Sequence, residues 1–198
     1  MVLLSILCVG AFLSAIFVTG MHDASNAIAV PVRTRTMGDT AALITAALFN
    51  GIGVFAAYLL ITDMSVPWIA VPSGHLGLPG LTAALITAAL WGVATWALRM
   101  PASSTHALIG ALAGVAWYAR VDGEGSRFIP AIFDATLLPL LYLPPLIFLL
   151  SWLLVLPFYR LAIRSSPSSV NRHSREVLAV SASAISLLHG MQTGYLYL

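Results

Sequence analysis

Five apolar runs decide what this chain can become: Val2 to Val18, Gly38 to Ile61, Leu81 to Leu98, Ile132 to Tyr159 and Val177 to Leu188. About 20 such residues in a row cross a bilayer as a helix. Lipid offers no partner to a backbone N–H or C=O, so each run must satisfy its own hydrogen bonds and is expected to be helical. Charged residues make up 8% of the 198 residues, against 60% hydrophobic. A soluble domain carries about 25% charged residues, so this chain could not cover a water-facing surface. The fold class expected is all-α, a polytopic membrane protein. The formal charge of +2 is too small to suggest nucleic acid. Cys8 stands alone, so there is no disulfide framework. No basic segment precedes Val2, so the first run reads as a retained helix rather than a cleaved signal peptide.

Between the runs the chain is punctuated. Gly51 and Gly53 interrupt the second run and would let another helix approach closely. Thr62 to Pro79, rich in Pro, Gly and Ser, reads as an interfacial loop with Trp68 at headgroup level. Ala107 to Tyr118 is short and contains Gly110 and Gly114, so it either spans or re-enters. Arg120 to Arg127 is a polar loop. Pro139, Pro144, Pro145 and Pro157 predict a kinked or broken helix over Ile132 to Tyr159. The basic segment from Arg160 to Arg175 is the best cytoplasmic linker. Counting back from it puts Arg99, Arg33 and Arg35 on the same side and the N-terminus outside, provided that Pro101 to Tyr118 crosses.

Two polar motifs stand out against this background. Gly20-Met21-His22-Asp23-Ala24-Ser25-Asn26-Ala27 gathers an imidazole, a carboxylate, a hydroxyl and an amide at the end of the first run. Such groups in a membrane usually line a path or a site. Asp23 suits a hard cation or a transferred proton, and Asn26 would share its helix face. The plainer alternative is that Asp23 caps a helix. The second motif is Pro101-Ala102-Ser103-Ser104-Thr105-His106 at an expected helix start. Free N–H groups there, with Ser103, Ser104 and Thr105, suit a phosphate-like anion; the alternative is an ordinary cap. No Lys or Arg lies within an apolar run. A multivalent anion would therefore be met by helix N-termini, hydroxyls and a co-bound cation, which predicts ion-coupled symport. A metal site from His22, Asp23 and His106, or a hydrolytic triad of Asp23, Ser104 and His106, has weaker support from spacing.

His189-Gly190-Met191-Gln192-Thr193 echoes Gly20-Met21-His22-Asp23, each following an apolar helix. Weak repeats of this kind mark transporters built from two related halves, although chance would also produce one.

At Gly20, His22, Asp23, Asn26 and Ala27, and again at Pro101, Ser103, Ser104, Thr105 and His106, the sequence resembles the inorganic phosphate transporter family of bacterial low-affinity permeases and sodium–phosphate symporters. The basic segment with Asn171-Arg172, leading to His189-Gly190, resembles that family's run into a second repeat. The resemblance implies an inverted-repeat fold with discontinuous helices, no enzymatic activity and no cofactor beyond a coupling proton or Na+. It implies a bacterial plasma membrane, and phosphate as substrate, with metal–phosphate or sulfate as variants. Asp23 and Asn26, with His22 and Ser25 beside them, would serve cation coupling and the substrate. Ser103, Ser104 and Thr105, with His106, would serve phosphate.

The division expected is a first repeat over 1–160, a cytoplasmic linker over 161–176 and the start of a second repeat over 177–198. The family continues His-Gly-x-Asn-Asp where Gln192 and Thr193 stand here, and no second Pro-x-Ser-Ser-Thr-His follows. A truncated second repeat is therefore expected. Two other readings accompany it: a half-size protein working as a homodimer, and a membrane fragment that transports nothing.

Overall fold

The computed structural model describes residues 2–61, 74–121 and 138–197, and it is helical almost throughout them. The elements are α1 (Val2–Arg33), α2 (Asp39–Ile61), a 3-10 turn (Gly74–Leu76) running into α3 (Gly77–Ala97), α4 (Ser104–Val121), α5 (Leu138–Ile163) and α6 (Pro167–Tyr197). Val2–Arg33, Asp39–Leu60, Gly74–Ala97 and Leu138–Ile163 are each long and apolar enough to cross a membrane. The chain is an all-α polytopic membrane protein.

Several boundaries differ from those expected. Residues 62–73, including Trp68, and residues 122–137 lie outside the described residues. Gly74 to Pro79 is helical and opens α3 rather than closing a loop. Pro144, Pro145 and Pro157 sit inside one uninterrupted helix. In lipid, a backbone group freed by proline finds no competing water, so the helix persists around it. The basic segment is largely helical. α5 continues to Ile163, and α6 begins at Pro167. The Oγ of Ser166 accepts the Ser169 N–H at 3.3 Å, and proline at the first helical position costs no hydrogen bond. A three-residue turn is enough.

Packing follows the membrane rule that small residues face inward. Cys8, Ala11 and Ala15 of α1 meet Ala84, Leu85 and Ala88 of α3 and Leu108, Leu112 and Ala116 of α4. Ala27 and Ile28 meet Ala42 and Ala46 of α2. Large side chains such as Leu13, Phe17, Phe55 and Leu90 point outward. Lipid is as apolar as leucine, so helix association rests on close van der Waals contact. The α2–α6 pair is the most extensive. Gly190 lies on the Asn50 backbone and Gly53 on the backbone of Leu187, so a Cβ at either position would collide. Gly51 has open space around it, so only one of the two α2 glycines serves the contact. α5 buries no residue among those described.

These contacts also fix directions. α1 and α6 are antiparallel: Phe12 meets Tyr197 edge to face, Asp23 meets His189, and the Arg35 carbonyl accepts from Arg175 at 2.8 Å. α2 runs parallel to α6, with Asn50 at Gly190 and Ala57 at Gly194. α4 turns back along α3, and residues from Leu76 to Thr87 and from Gly110 to Tyr118 line one groove. Arg33, Arg35, Arg99, Arg160, Arg164, Arg172 and Arg175 consequently gather toward one end of the bundle.

α1 and α3 end on the same device. Arg35 donates to Val32 and Thr36 to Pro31; Arg99 donates to Trp96 and Met100 to Thr95. Both arginines are left-handed, with φ of 53° and 56°. Glycine is the usual residue at this cap position, because an L side chain there costs roughly 1–2 kcal/mol.

Candidate functional site

α1 carries the first motif without a break, so its side chains divide by helical face rather than by a cap. Asp23 does not cap a helix. It points at α6, with His189 Nδ1 at 3.8 Å from one carboxylate oxygen and the Thr193 hydroxyl donating to the other at 3.5 Å. His22 packs beside Gly92 of α3. Its Nδ1 donates to the Val18 carbonyl at 3.0 Å, and its Nε2 is buried without a partner. The Ser25 hydroxyl donates to the His22 carbonyl at 2.7 Å. Ser25 and Asn26 are exposed on the side facing the α3–α4 turn. Asp23 and Asn26, expected on one face, therefore look toward different helices.

The second motif is where the helical run breaks. α3 stops at Ala97, α4 starts at Ser104, and Ser103 is the cap. Its Oγ accepts the His106 N–H at 3.3 Å and lies 2.7 Å from His106 Nδ1. The plain capping alternative is thus true of Ser103. Ser104 is half-buried in the first turn. Thr105 is turned toward α6 and accepts from Gln192 Nε2 at 3.0 Å. Asp23, Ser104 and His106 do not form a relay, since Asp23 is engaged by α6 and His106 by Ser103.

α6 is the part of the site that sequence reasoning undervalued. Its last turns bring His189 and Thr193 to Asp23 and Gln192 to Thr105. In the sequence the echo marks this segment, but Gln192 and Thr193 stand there only in place of an expected acid. In space they join the two motifs. Gly190, the echo's glycine, has a packing reason: it lets α6 lie against Asn50.

A cavity of about 560 Å³ opens between α1 and the α3–α4 turn. Its walls include His22, Ser25 and Asn26 from the first motif, Ser103 from the second, and Thr95 and Arg99 from the end of α3. In the sequence Arg99 serves only to orient the chain. Its left-handed backbone places it on this wall, next to groups that can donate hydrogen bonds.

Membrane-length helices enclosing a carboxylate, imidazoles, hydroxyls and amides define an integral membrane protein with a polar interior. The model of the phosphate transporter family matches residues 19–194. A probable low-affinity inorganic phosphate transporter of Streptomyces halstedii is 35% identical over 176 residues, 89% of this chain and 81% of that protein. Proteins of the same description from Rhizobium meliloti and Bacillus subtilis are 33% and 32% identical; the matches cover 88% and 96% of this chain but 51% and 56% of those proteins. The chain thus spans about half the length of these last two relatives. No solved structure matches it. The chain belongs to the phosphate transporter family. That family and these relatives are transporters, not enzymes, which disposes of the hydrolytic reading.

Proposed function

We propose that this chain carries inorganic phosphate across a bacterial plasma membrane, coupled to a proton or Na+ at Asp23. The observation that carries the reading is the cavity, where His22, Ser25 and Asn26 of the first motif share a wall with Ser103 of the second. Hydroxyl and amide donors suit the oxygens of phosphate without binding it irreversibly. Asp23, the neighbouring carboxylate on α1, is left for the cation. Its contacts to His189 and Thr193 are long, so a proton or Na+ can compete for it. The arginine end faces the cytoplasm, following the bias of basic residues in membrane proteins. With Arg33 at headgroup level, Asp23 lies about 15 Å deeper along the helix, halfway through a core of about 30 Å. The antiparallel meeting of the echo segments supports two inverted repeats, the second beginning on α6.

Uptake of labelled phosphate into proteoliposomes tests this directly, with an imposed proton or Na+ gradient separating the coupling ions. Uptake driven by neither gradient would remove the coupling.

A half-transporter that pairs with another half, such as a second copy, is the second reading. It is favoured by α5, which is apolar and unburied along its described length. Wild type that is silent alone, but active when co-reconstituted with a partner half, would support it.

A further inference from the structure

We propose that Arg99 is the anion-capturing residue of the cavity between α1 and the α3–α4 turn, taking a tetrahedral oxyanion. The inference rests on the phosphate-transport reading and adds to it a guanidinium on that wall. Hydropathy argues against any basic group at the anion site, because no apolar run contains one. The fold supplies one from a helix end instead. Arg99 lines the cavity together with Asn26, Ser25, Thr95 and Ser103. A guanidinium presents a planar fork of N–H donors to two oxygens of an oxyanion, and the hydroxyls and amide nearby can take the others. Ser103 is at the N-terminus of α4, whose dipole adds to the same field.

The backbone gives an independent reason to assign Arg99 a task. It sits at the left-handed cap position of α3, with φ of 56°. Glycine would hold this cap without strain. A non-glycine residue held in this left-handed position points to a function of its side chain. Arg35 breaks the same rule at the end of α1, but it does not line this cavity.

The two roles of this position predict opposite signs on replacement by glycine. The full chain in lipid nanodiscs is assayed for equilibrium binding of radiolabelled phosphate and of radiolabelled sulfate, beside its ligand-free melting temperature. Arg99→Gly is expected to melt at or above the wild-type temperature and to bind phosphate about tenfold more weakly or worse. Arg99→Lys keeps the charge without the fork and falls between. Arg172→Gln, at the exposed start of α6, binds as wild type. Phosphate binding by Arg99→Gly equal to wild type would overturn the inference and leave the transport reading standing. Wild type that binds sulfate but not phosphate, with sulfate lost in Arg99→Gly, would uphold Arg99 as the capturing residue and sink the phosphate reading. Wild type that binds neither anion would sink both.

Discussion

Asp23 is held loosely for a carboxylate inside a membrane protein. Its neighbours lie at 3.5 and 3.8 Å, beyond the roughly 2.5–3.2 Å of a good hydrogen bond. Asp23→Asn keeps the shape and removes the charge. The variant is expected to fold and to lose at least about tenfold of its phosphate uptake, equivalent to about 1.4 kcal/mol. Uptake unchanged from wild type would show that Asp23 is not the coupling group. Ser103 is engaged more tightly, through its contacts to His106. Ser103→Ala should cost about 1 kcal/mol of stability, read as a lower melting temperature in detergent, and weaken phosphate binding as well. Both residues could be picked out from local pattern alone: a lone acid beside an apolar run, and a hydroxyl after Pro101. Their partners could not. His189 and Thr193 are separated from Asp23 by most of the chain, and Gln192 lies 87 positions from Thr105. Gln192 and Thr193 have meaning only once α6 has folded back antiparallel to α1.

At the scale of helices, the α2–α6 contact depends on missing side chains. Gly190→Ala would drive a Cβ into the backbone of Asn50. Overpacking of this kind costs about 1–3 kcal/mol, so a clearly lower melting temperature is expected. Gly51→Ala, facing open space, should be neutral or gain up to about 1 kcal/mol from helix propensity. The same scan measures both, and equal effects would contradict the packing described. In sequence these glycines are indistinguishable; what separates them is which side of α2 another helix occupies. α5 shows the converse. Its prolines suggest a break in water-based logic, but a helix in lipid has no better alternative for its backbone. The helical content of the chain was therefore legible from apolar runs, while the course of individual helices depended on the solvent.

For the whole molecule, the arginines give a test of orientation. In a Cys8→Ala background, single cysteines at Thr36 and Ser169 should react with an impermeant maleimide from the same side of the membrane, and one at Gly74 from the other. Labelling of all three from one side would contradict the alternation of the helices. This expectation can be drawn from the arginines alone because the positive-inside bias depends on sequence position and not on packing.

α1 has 32 residues and α6 has 31, lengths of about 48 and 46 Å. A hydrocarbon layer is only about 30 Å thick. Neither helix can stand upright with both ends at the headgroups, so each must lean or push one end into water. The pair is latched where Arg175 meets the Arg35 carbonyl, and it carries Asp23 and its partners along its length. Bilayer thickness thus becomes a mechanical input: a thinner membrane demands more lean, and the carboxylate moves with the helix that bears it.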